Sequence, residues 1–413
     1  MAIKSEQKLE MLGGRRTPYL ANAEREAEDR GFYDFPIVDA DTHISDLADT
    51  RKLAGYMRNP NIARAFEKYE QTDLNRLFMN WNVGDRPIGG RSKAYNVWDD
   101  LPEEIPEGMP RTAASTVQFM DRTGVDYVVS FPTVMLTLGA SPQLEMQAEL
   151  SWAFNNWLVN DILPWDPRIL AMPYLPVTDP AASLQVVRRF ARERNVVGWM
   201  VTTARYEPLH GNQYARLWSE IDEIGKPVAF HSGPNWKERP FQVFGRFFPA
   251  HGLGFSFYAM VHLANVVLSG MPERFPNIRW IFIEAGQSWV PFLMSRLDQQ
   301  YRMRSSEAPL LKRLPSEYIR EMFFTTQPFE AQYESPDLGR ALFDLMNGSQ
   351  SWLFASDYPH HDFDMPGAVQ GIPYLDQEEK RAVLGGNALK LFGLPSGTPT
   401  RERRLRAQAR SDA

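Results

Sequence analysis

The feature that most constrains this chain is a regular alternation of short apolar runs with longer segments of helical character. Eight such runs occur along the 413 residues, and they are nearly continuous in apolar residues rather than alternating with polar ones. That pattern is typical of strands that are covered on both faces, as in parallel sheets. The runs comprise residues 35–41, 126–133, 169–177, 196–203, 226–233, 278–286, 322–328 and 352–360.

Helix-length segments separate the runs, and several of them carry signals for a helix end. The segment 180–194 follows Asp179, which suits a helix cap, and has Pro180 in its first turn. The segment 212–224 is followed by Gly225, which suits a helix C-terminus. Strands that alternate with helices predict parallel β–α–β units. Eight units predict a closed (β/α)₈ TIM barrel, with an open doubly wound sheet as the alternative.

Three segments fall outside this repeat. Residues 1–33 are mostly polar and charged, and are predicted to form an N-terminal arm before a barrel of residues 34–394. Residues 44–113 are rich in proline and glycine, and are predicted to be an insertion after the first strand that forms a lid over the barrel mouth. Residues 395–413 form a polar, arginine-rich tail, interpreted as solvated or contacting another subunit rather than a nucleic acid.

Composition excludes several kinds of protein. The chain has no cysteine, so disulfides, thiolate metal sites and thiol nucleophiles are excluded. A formal net charge of −6 argues against a nucleic-acid-binding surface. No continuous apolar run approaches the roughly 18 residues of a membrane span, and the first residues lack the apolar stretch of a signal peptide. We therefore expect a cytoplasmic protein with no nucleic-acid and no membrane partner.

Metal-binding side chains occur where the first predicted strand ends. Asp39, Asp41 and His43 alternate along the chain, so in a regular strand they point the same way. Three such groups in a dry environment would be poorly satisfied unless a cation bound them. On these residues alone, a metal site and a hydrogen-bonded Asp–His pair remain equal alternatives.

Acidic and imidazole side chains also end three other predicted strands. His231 lies near the end of the fifth run, Glu284 near the end of the sixth and Asp357 near the end of the eighth. A lone histidine of this kind is more often a satisfied core residue, but a carboxylate after an apolar run is costly to bury without a partner. Catalytic residues of parallel barrels gather at the carboxyl ends of strands. Four strand ends of this kind together predict a metal site there.

Several motifs follow one another in a characteristic order and spacing. They include VDADTH near the start, PVAFHSG and FIEAGQSWVPFLMSRLD further on, and FASDYPHHD and GGNALKLFGL near the end. In these motifs the chain resembles the amidohydrolase superfamily, in the branch of amidohydrolase family 2 around aminocarboxymuconate-semialdehyde decarboxylase. The resemblance runs from about Phe35 to Gly393 and implies a metal-dependent barrel, which agrees with the fold expected above.

The resemblance also implies a set of metal ligands. The family uses an H-x-H pair on strand 1, a histidine on strand 5, often a histidine on strand 6, and an aspartate on strand 8. Mapped by motif, these positions are Asp41, His43, His231, Glu284 and Asp357. Asp41 and Glu284 depart from the pattern, because each stands where the family has a histidine. Three carboxylates make the donor set harder than histidines alone, so Mn²⁺ or Fe²⁺ rivals Zn²⁺, and one or two ions are expected.

The function implied by the resemblance is that of a metal-dependent hydrolase or decarboxylase. It would act on a small carboxylated or amide substrate through metal-activated water, with Asp357 and His231 as catalytic residues. One alternative is a non-haem iron or manganese/iron-dependent oxygenase on the same barrel. A second is a non-catalytic partner subunit with a structural metal. The aromatic content and the habits of the family predict a homo- or hetero-oligomer.

Four further residues are candidates for contact with the substrate. Arg205 follows the fourth predicted strand, Trp236 and His251 lie in the segment after the fifth, and His360 follows the eighth. For Arg205 a surface salt bridge is an equal alternative, and for His251 an exposed loop position is. His262 lies in an apolar helical segment and is predicted to serve helix packing instead.

Overall fold

The chain forms a ring of eight parallel strands with helices outside, as seen in a computed structural model. The structure describes residues 19–44, 50–68, 101–102, 104–203, 206–233, 238–244, 247–330, 335–360 and 363–411. The strands are β1 (Val38–Ile44), β2 (Tyr127–Pro132), β3 (Ile169–Ala171), β4 (Trp199–Thr202), β5 (Val228–His231), β6 (Trp280–Ile283), β7 (Phe323–Thr325) and β8 (Trp352–Leu353). All eight predicted apolar runs therefore contain a strand.

The strands pair in chain order. β1 to β3 form one parallel sheet and β4 to β8 form another. Isolated bridges join the two sheets at both seams. Tyr174, just after β3, pairs with Met200 of β4, and Thr42 of β1 pairs with Tyr358, just after β8. The ring is closed in this way, which confirms the predicted barrel over an open sheet.

Helices form the outer layer. They are α1 (Tyr19–Asp29), α2 (Thr50–Tyr56), α3 (Pro60–Phe66), α4 (Arg111–Thr123), α5 (Leu144–Trp157), α6 (Pro180–Phe190), α7 (Ala215–Ile224), α8 (Phe247–Leu268), α9 (Met271–Arg274), α10 (Trp289–Arg304), α11 (Pro315–Ile319), α12 (Pro336–Leu345), α13 (Gly348–Ser351), α14 (Pro366–Gln370), α15 (Gln377–Arg381), α16 (Asn387–Phe392) and α17 (Pro399–Ser411). As predicted, the side chain of Asp179 caps α6 by accepting from two backbone N–H groups. Gly225 ends α7 with a φ of 73°, a conformation that glycine adopts without strain.

The core explains why the strand sequences are so continuously apolar. Every residue of β1, β4, β5 and β6 is buried. Phe230 of β5 stacks on Phe282 of β6 with 5.2 Å between ring centroids, and Phe282 stacks on Phe324 of β7 at 5.7 Å. Neighbouring strands are thus held together by aromatic contacts as well as by the hydrogen-bonded ladder. This packing fixes the positions of the strand ends, where the polar residues lie.

The two terminal segments pack against each other. Leu20 and Ala27 of α1 are fully buried. Arg404 of α17 donates to Glu24 at 2.6 Å and to Glu28 at 2.7 Å, and both acids belong to α1. The arginine-rich tail therefore contacts the N-terminal arm of its own chain, an arrangement that the sequence did not predict. Residues 1–18 lie outside the described part of the chain.

Part of the predicted insertion, residues 44–113, is described. Within it, α2 and α3 lie beside α5, where Glu149 accepts from the backbone N–H groups of Arg58 and Asn59 at 2.6 and 3.1 Å. These contacts hold that portion on the helical layer. Residues 45–49, 69–100 and 103 lie outside the described residues, and the predicted lid stays a prediction.

The helix α8 bears on the expectation that no apolar stretch is long enough to span a membrane. It contains, over Pro249–Leu268, the one stretch in the described residues whose length and composition would allow a membrane span. A core helix of a soluble protein passes the same test, and α8 packs on β5, α10 and α11 with Leu263 fully buried. The polar residues His251 and His262 interrupt the stretch, so a search for continuous apolar residues misses it.

Candidate metal centre

Four side chains converge at the carboxyl ends of β1, β5 and β8. Asp41 and His43 belong to β1, His231 ends β5, and Asp357 follows β8. The Oδ1 atom of Asp41 lies 3.2 Å from Nε2 of His231 and 3.4 Å from Nε2 of His43. Nε2 of His43 also lies 3.0 Å from Oδ1 of Asp357. None of the four residues is more than 2% exposed, so their charges face one another out of water.

These donor atoms do not satisfy one another. The backbone carbonyl of Ser232 lies 2.7 Å from Nδ1 of His231 and can only accept, so Nδ1 carries a proton. The contact of Nε2 with Oδ1 of Asp41 then needs a positive charge, which either a second ring proton or a bound cation supplies. Within the described residues, the buried Oδ2 of Asp41 has no hydrogen-bond partner. A divalent cation held by two carboxylates and two imidazoles would satisfy these atoms.

The two carboxyl groups of β1 differ in charge. Burial raises the pKa of Asp41, but the imidazoles of His231 and His43 lower it by more, so its pKa lies below the ordinary value. Burial raises the pKa of Asp39 to about 8, even though two backbone N–H groups, of Asp41 and Ser356, donate to its Oδ1. Asp41 is therefore the charged group of the cluster, and Asp39 ties β1 to the segment after β8.

This difference corrects the expectation that Asp39, Asp41 and His43 share one face of a regular strand. The pairing of β1 with β2 changes register between Asp39 and Thr42, which interrupts the regular alternation of side chains. Asp39 lies outside both acid–histidine clusters of the described residues. Its Oδ1 accepts from two backbone N–H groups, whereas its buried Oδ2 has no hydrogen-bond partner within the described residues.

Glu284 lies on the far side of His231. Its Oε2 is 3.7 Å from Nδ1 of His231, whereas Nε2 of the same ring faces Asp41. Neither acid–histidine cluster of the described residues includes Glu284. Its role as a direct ligand stays a prediction, and the position observed is beside Nδ1 of His231, the ring nitrogen that faces away from Asp41.

Two of the acidic residues have an uncommon backbone conformation. Glu284 and Asp357 have φ values of 57° and 63°, in the left-handed region that residues other than glycine rarely adopt. The N–H of Asp357 donates to the carbonyl of Asp41 at 2.9 Å, and the N–H of Glu284 donates to Thr325 at 3.0 Å. Such conformations persist where the surroundings enforce them, and they are frequent at functional sites.

The second acid–histidine cluster consists of His43, Asp357 and His360, and it shares His43 with the cluster of Asp41, His43 and His231. Nδ1 of His360 lies 2.8 Å from Oδ1 of Asp357, and the rings of His360 and His43 have centroids 3.9 Å apart. Thr133 completes the group, because its Oγ1 lies 3.2 Å from Nδ1 of His43 and 3.1 Å from Nε2 of His360. Sequence reasoning missed Thr133, since a hydroxyl at a strand end is a weaker signal than a carboxylate or an imidazole.

The other predicted substrate contacts are Arg205, Trp236 and His251. Arg205 and Trp236 lie outside the described residues. His251 lies in α8, where its ring packs against Phe255 at a centroid distance of 4.5 Å. His262 is 2% exposed and packs between aromatic rings, as predicted.

Comparison with known proteins places this site in a family. The sequence profile of the amidohydrolase family Amidohydro_2 matches residues 38–394. The 2-amino-3-carboxymuconate-6-semialdehyde decarboxylase of Dictyostelium discoideum is 23% identical over 288 residues, which cover 67% of this chain and 76% of that protein. The gamma-resorcylate decarboxylase of Rhodococcus jostii is 23% identical over 286 residues, which cover 63% of this chain and 83% of that protein.

Solved structures share the fold. The 5-carboxyvanillate decarboxylase of Sphingomonas paucimobilis has a TM-score of 0.60 and 20% identity, covering 87% of this chain and 100% of that one. An amidohydrolase of Mycobacterium avium subsp. paratuberculosis has a TM-score of 0.67 and 19% identity, with coverage of 87% and 100%. A dihydroxybenzoic acid decarboxylase of Polaromonas, solved with bound manganese and an inhibitor, has a TM-score of 0.59 and 18% identity, with coverage of 87% and 97%. With the barrel shared and the family profile matched over most of its length, this chain belongs to the amidohydrolase family, as its motifs predicted.

Proposed function

We propose that this enzyme is a metal-dependent decarboxylase that replaces the carboxylate of a small unsaturated or aromatic acid with a proton. The observation that carries the proposal is the buried cluster of Asp41, His43, His231 and Asp357 at the carboxyl ends of three strands. The named activities of the relatives favour loss of CO₂ over hydrolysis of an amide, since the relatives described above include decarboxylases of carboxylated substrates.

The chemistry requires a place for a negatively charged substrate and a source of one proton. A divalent cation, when bound, supplies Lewis acidity that holds the oxygens of the substrate and draws electron density from the reacting carbon. Asp41, His43, His231 and Asp357 would hold that cation. Their burial keeps water away from the reacting bond, which strengthens every charge interaction in the site.

Asp357 is the proposed proton donor. In the overall reaction the bond between the substrate carbon and its carboxyl carbon breaks, CO₂ leaves, and the electron pair that remains takes up one proton. Asp357 lies within the cluster, and His360 contacts its Oδ1 from a side chain that is 21% exposed. His360 therefore connects a buried carboxyl group with the surface, where the proton that each turnover consumes can be replaced.

The decisive experiment measures CO₂ release from a panel of hydroxylated benzoates and of carboxylated unsaturated acids. The purified protein is stripped of metal and reloaded with Mn²⁺, Zn²⁺ or Fe²⁺, with oxygen uptake followed in parallel. We expect metal-dependent CO₂ release, which Asp357→Asn lowers by about 10²- to 10⁴-fold, as is typical for loss of a general acid. The control variant His262→Phe alters a buried histidine outside the cluster and should keep the activity.

Other outcomes identify the alternatives. Amide hydrolysis without CO₂ release would replace the decarboxylase with a hydrolase, and iron-dependent oxygen uptake would replace it with an oxygenase. A wild-type protein that binds none of the three metals would contradict the metal centre itself. Metal binding that stabilises the protein without any of these activities would favour the non-catalytic subunit.

We propose further that the enzyme is cytoplasmic and oligomeric, with a small molecule as its substrate. Two packed helices support an assembly, because Leu253 of α8 is 56% exposed and Phe292 of α10 is 60% exposed. Exposed large apolar side chains on adjacent elements are typical of protein contacts. Light scattering at several concentrations tests the assembly, and a monomer at all of them would contradict it.

A further inference from the structure

Thr133 lies between the two imidazole rings of His43 and His360 and contacts both. Its Oγ1 is 3.2 Å from Nδ1 of His43 and 3.1 Å from Nε2 of His360. We propose that Thr133 is a positioning residue, whose hydroxyl holds His43 in the tautomer that turns the lone pair of Nε2 toward the cluster. The inference rests on the metal centre of the proposed function and assigns a further residue to it.

The protons of this network can be placed from the acceptor end. When Asp357 is ionised, before it takes up the proton that it delivers, its Oδ1 can only accept, and Nδ1 of His360, 2.8 Å away, then carries a proton. A neutral His360 then has its lone pair on Nε2. The hydroxyl of Thr133 donates its single proton to this lone pair, because Nε2 lies at hydrogen-bond distance from Oγ1.

The same hydroxyl therefore accepts on its other side. Having donated its only proton to His360, Thr133 receives a hydrogen bond from Nδ1–H of His43. A neutral His43 that is protonated on Nδ1 has its lone pair on Nε2. That atom lies 3.0 Å from a carboxylate oxygen of Asp357 and 3.4 Å from one of Asp41. A lone pair that faces two carboxylates is suited to a cation between them.

The arrangement matches that of the other histidine of the cluster. His231 donates from Nδ1 to the backbone carbonyl of Ser232 and turns Nε2 toward Asp41. On both imidazoles an oxygen acceptor thus binds Nδ1, the nitrogen that faces away from the cluster. Ligand histidines in metal sites are oriented in this way. The backbone supplies the acceptor for His231, whereas a side chain supplies it for His43, so the second acceptor can be removed by substitution.

The fold brings Thr133 to this place. It directly follows β2, and the register pairs Pro132 of β2 with Ile44 of β1 and Phe131 with His43. Thr133 thus lies two residues beyond the partner of His43, and its hydroxyl reaches Nδ1 of that ring. Valine has nearly the shape of threonine and lacks the hydroxyl, so Thr133→Val removes the acceptor with little change in packing.

The test measures the dissociation constants of the metal-free protein for Mn²⁺ and Zn²⁺, by competition with a chromophoric chelator. We expect Thr133→Val and Thr133→Ala to bind both ions about 10- to 100-fold more weakly, the usual cost of losing a partner of a ligand histidine. Thr133→Ser restores the hydroxyl and should bind close to wild type. Thr116→Val is the matched control, since that buried hydroxyl donates to the carbonyl of Thr112 within α4.

The outcomes separate this inference from the proposed metal centre. Unchanged affinity in folded Thr133→Val and Thr133→Ala would overturn the role of Thr133 and leave the centre standing. Weak binding by Thr133→Ser together with Thr133→Ala would assign the loss to packing and would also overturn it. A wild-type protein without metal affinity would overturn both. If Thr133→Val does not fold, the comparison of the alanine and serine variants decides the question.

Discussion

Two buried histidines are neighbours of Phe230, one along the chain and one across the core, and their surroundings differ. His231 follows Phe230 in β5, is fully buried, and has a carboxylate oxygen of Asp41 3.2 Å from its Nε2. His262 of α8 is 2% exposed, and its ring lies 5.0 Å from that of Phe230 and 5.2 Å from that of Tyr206. Its Nε2 has no hydrogen-bond partner within the described residues.

The contrast shows what burial alone does to a histidine. Burial among apolar rings lowers the pKa of His262 to about 3, because the charged imidazolium loses its hydration there. Such a histidine is neutral and serves packing. His231 is equally buried, but β1, which is distant in sequence, brings the carboxylate of Asp41 to its Nε2. Convergence of acids from several strands, rather than burial, distinguishes the candidate metal centre.

The largest expected effect on metal binding comes from substituting residues of the candidate metal centre. Asp41→Asn removes the charge that His43 and His231 share, and we expect it to weaken Mn²⁺ and Zn²⁺ binding by more than about 100-fold, beyond the cost of losing an outer partner. His231→Ala should do the same. Elemental analysis and chelator competition measure the loss, with His262→Phe as the control. Full metal occupancy in Asp41→Asn would refute the site as described.

Substitution of Glu284 should weaken metal binding less, and the size of the loss decides whether this residue is a ligand or a neighbour of one. Its carboxylate lies 3.7 Å from Nδ1 of His231, on the side away from Asp41. As a neighbour behind the ring it orients the imidazole, so Glu284→Gln should weaken metal binding by about tenfold. A loss as large as that of Asp41→Asn would instead make Glu284 a direct ligand, as its motif position predicts.

The smallest expected effect concerns the dependence of stability on pH at His262. Its folded-state pKa is lowered from 6.5 to about 3. Below pH 6.5 the unfolded chain therefore gains a proton that the folded chain does not, and stability is lost as the pH falls. At pH 5 the loss amounts to about 2 kcal/mol, from roughly 1.4 kcal/mol for each pH unit.

The variant His262→Phe removes this proton uptake and should flatten that part of the profile. Urea unfolding of the metal-free protein at pH 7.5 and pH 5 measures the difference. Equal acid sensitivity in the variant and the wild type would show that His262 is not the residue responsible, and would weaken the contrast with His231.

The sequence alone was enough to predict the barrel and the end of the barrel at which the candidate metal centre lies. Strands covered on both faces must be apolar along their length, so eight apolar runs disclosed eight strands. Polar residues near the ends of such runs have to lie at strand ends, and these ends meet on one side of a barrel. The residues chosen on this ground lie close together in the structure: Asp41, His43, His231 and Asp357. Their roles as ligands stay a prediction for the metal-binding experiments.

Only the tertiary structure decided which atoms face one another. A register shift separates Asp39 from Asp41, a left-handed turn sets the carboxylate of Glu284 behind His231, and the end of β2 brings Thr133 between two imidazoles. A pattern along the chain fixes the strand end at which a side chain lies. The distance and the direction of that side chain depend on register, backbone torsion and neighbouring strands, and these arise from contacts between residues far apart in the sequence.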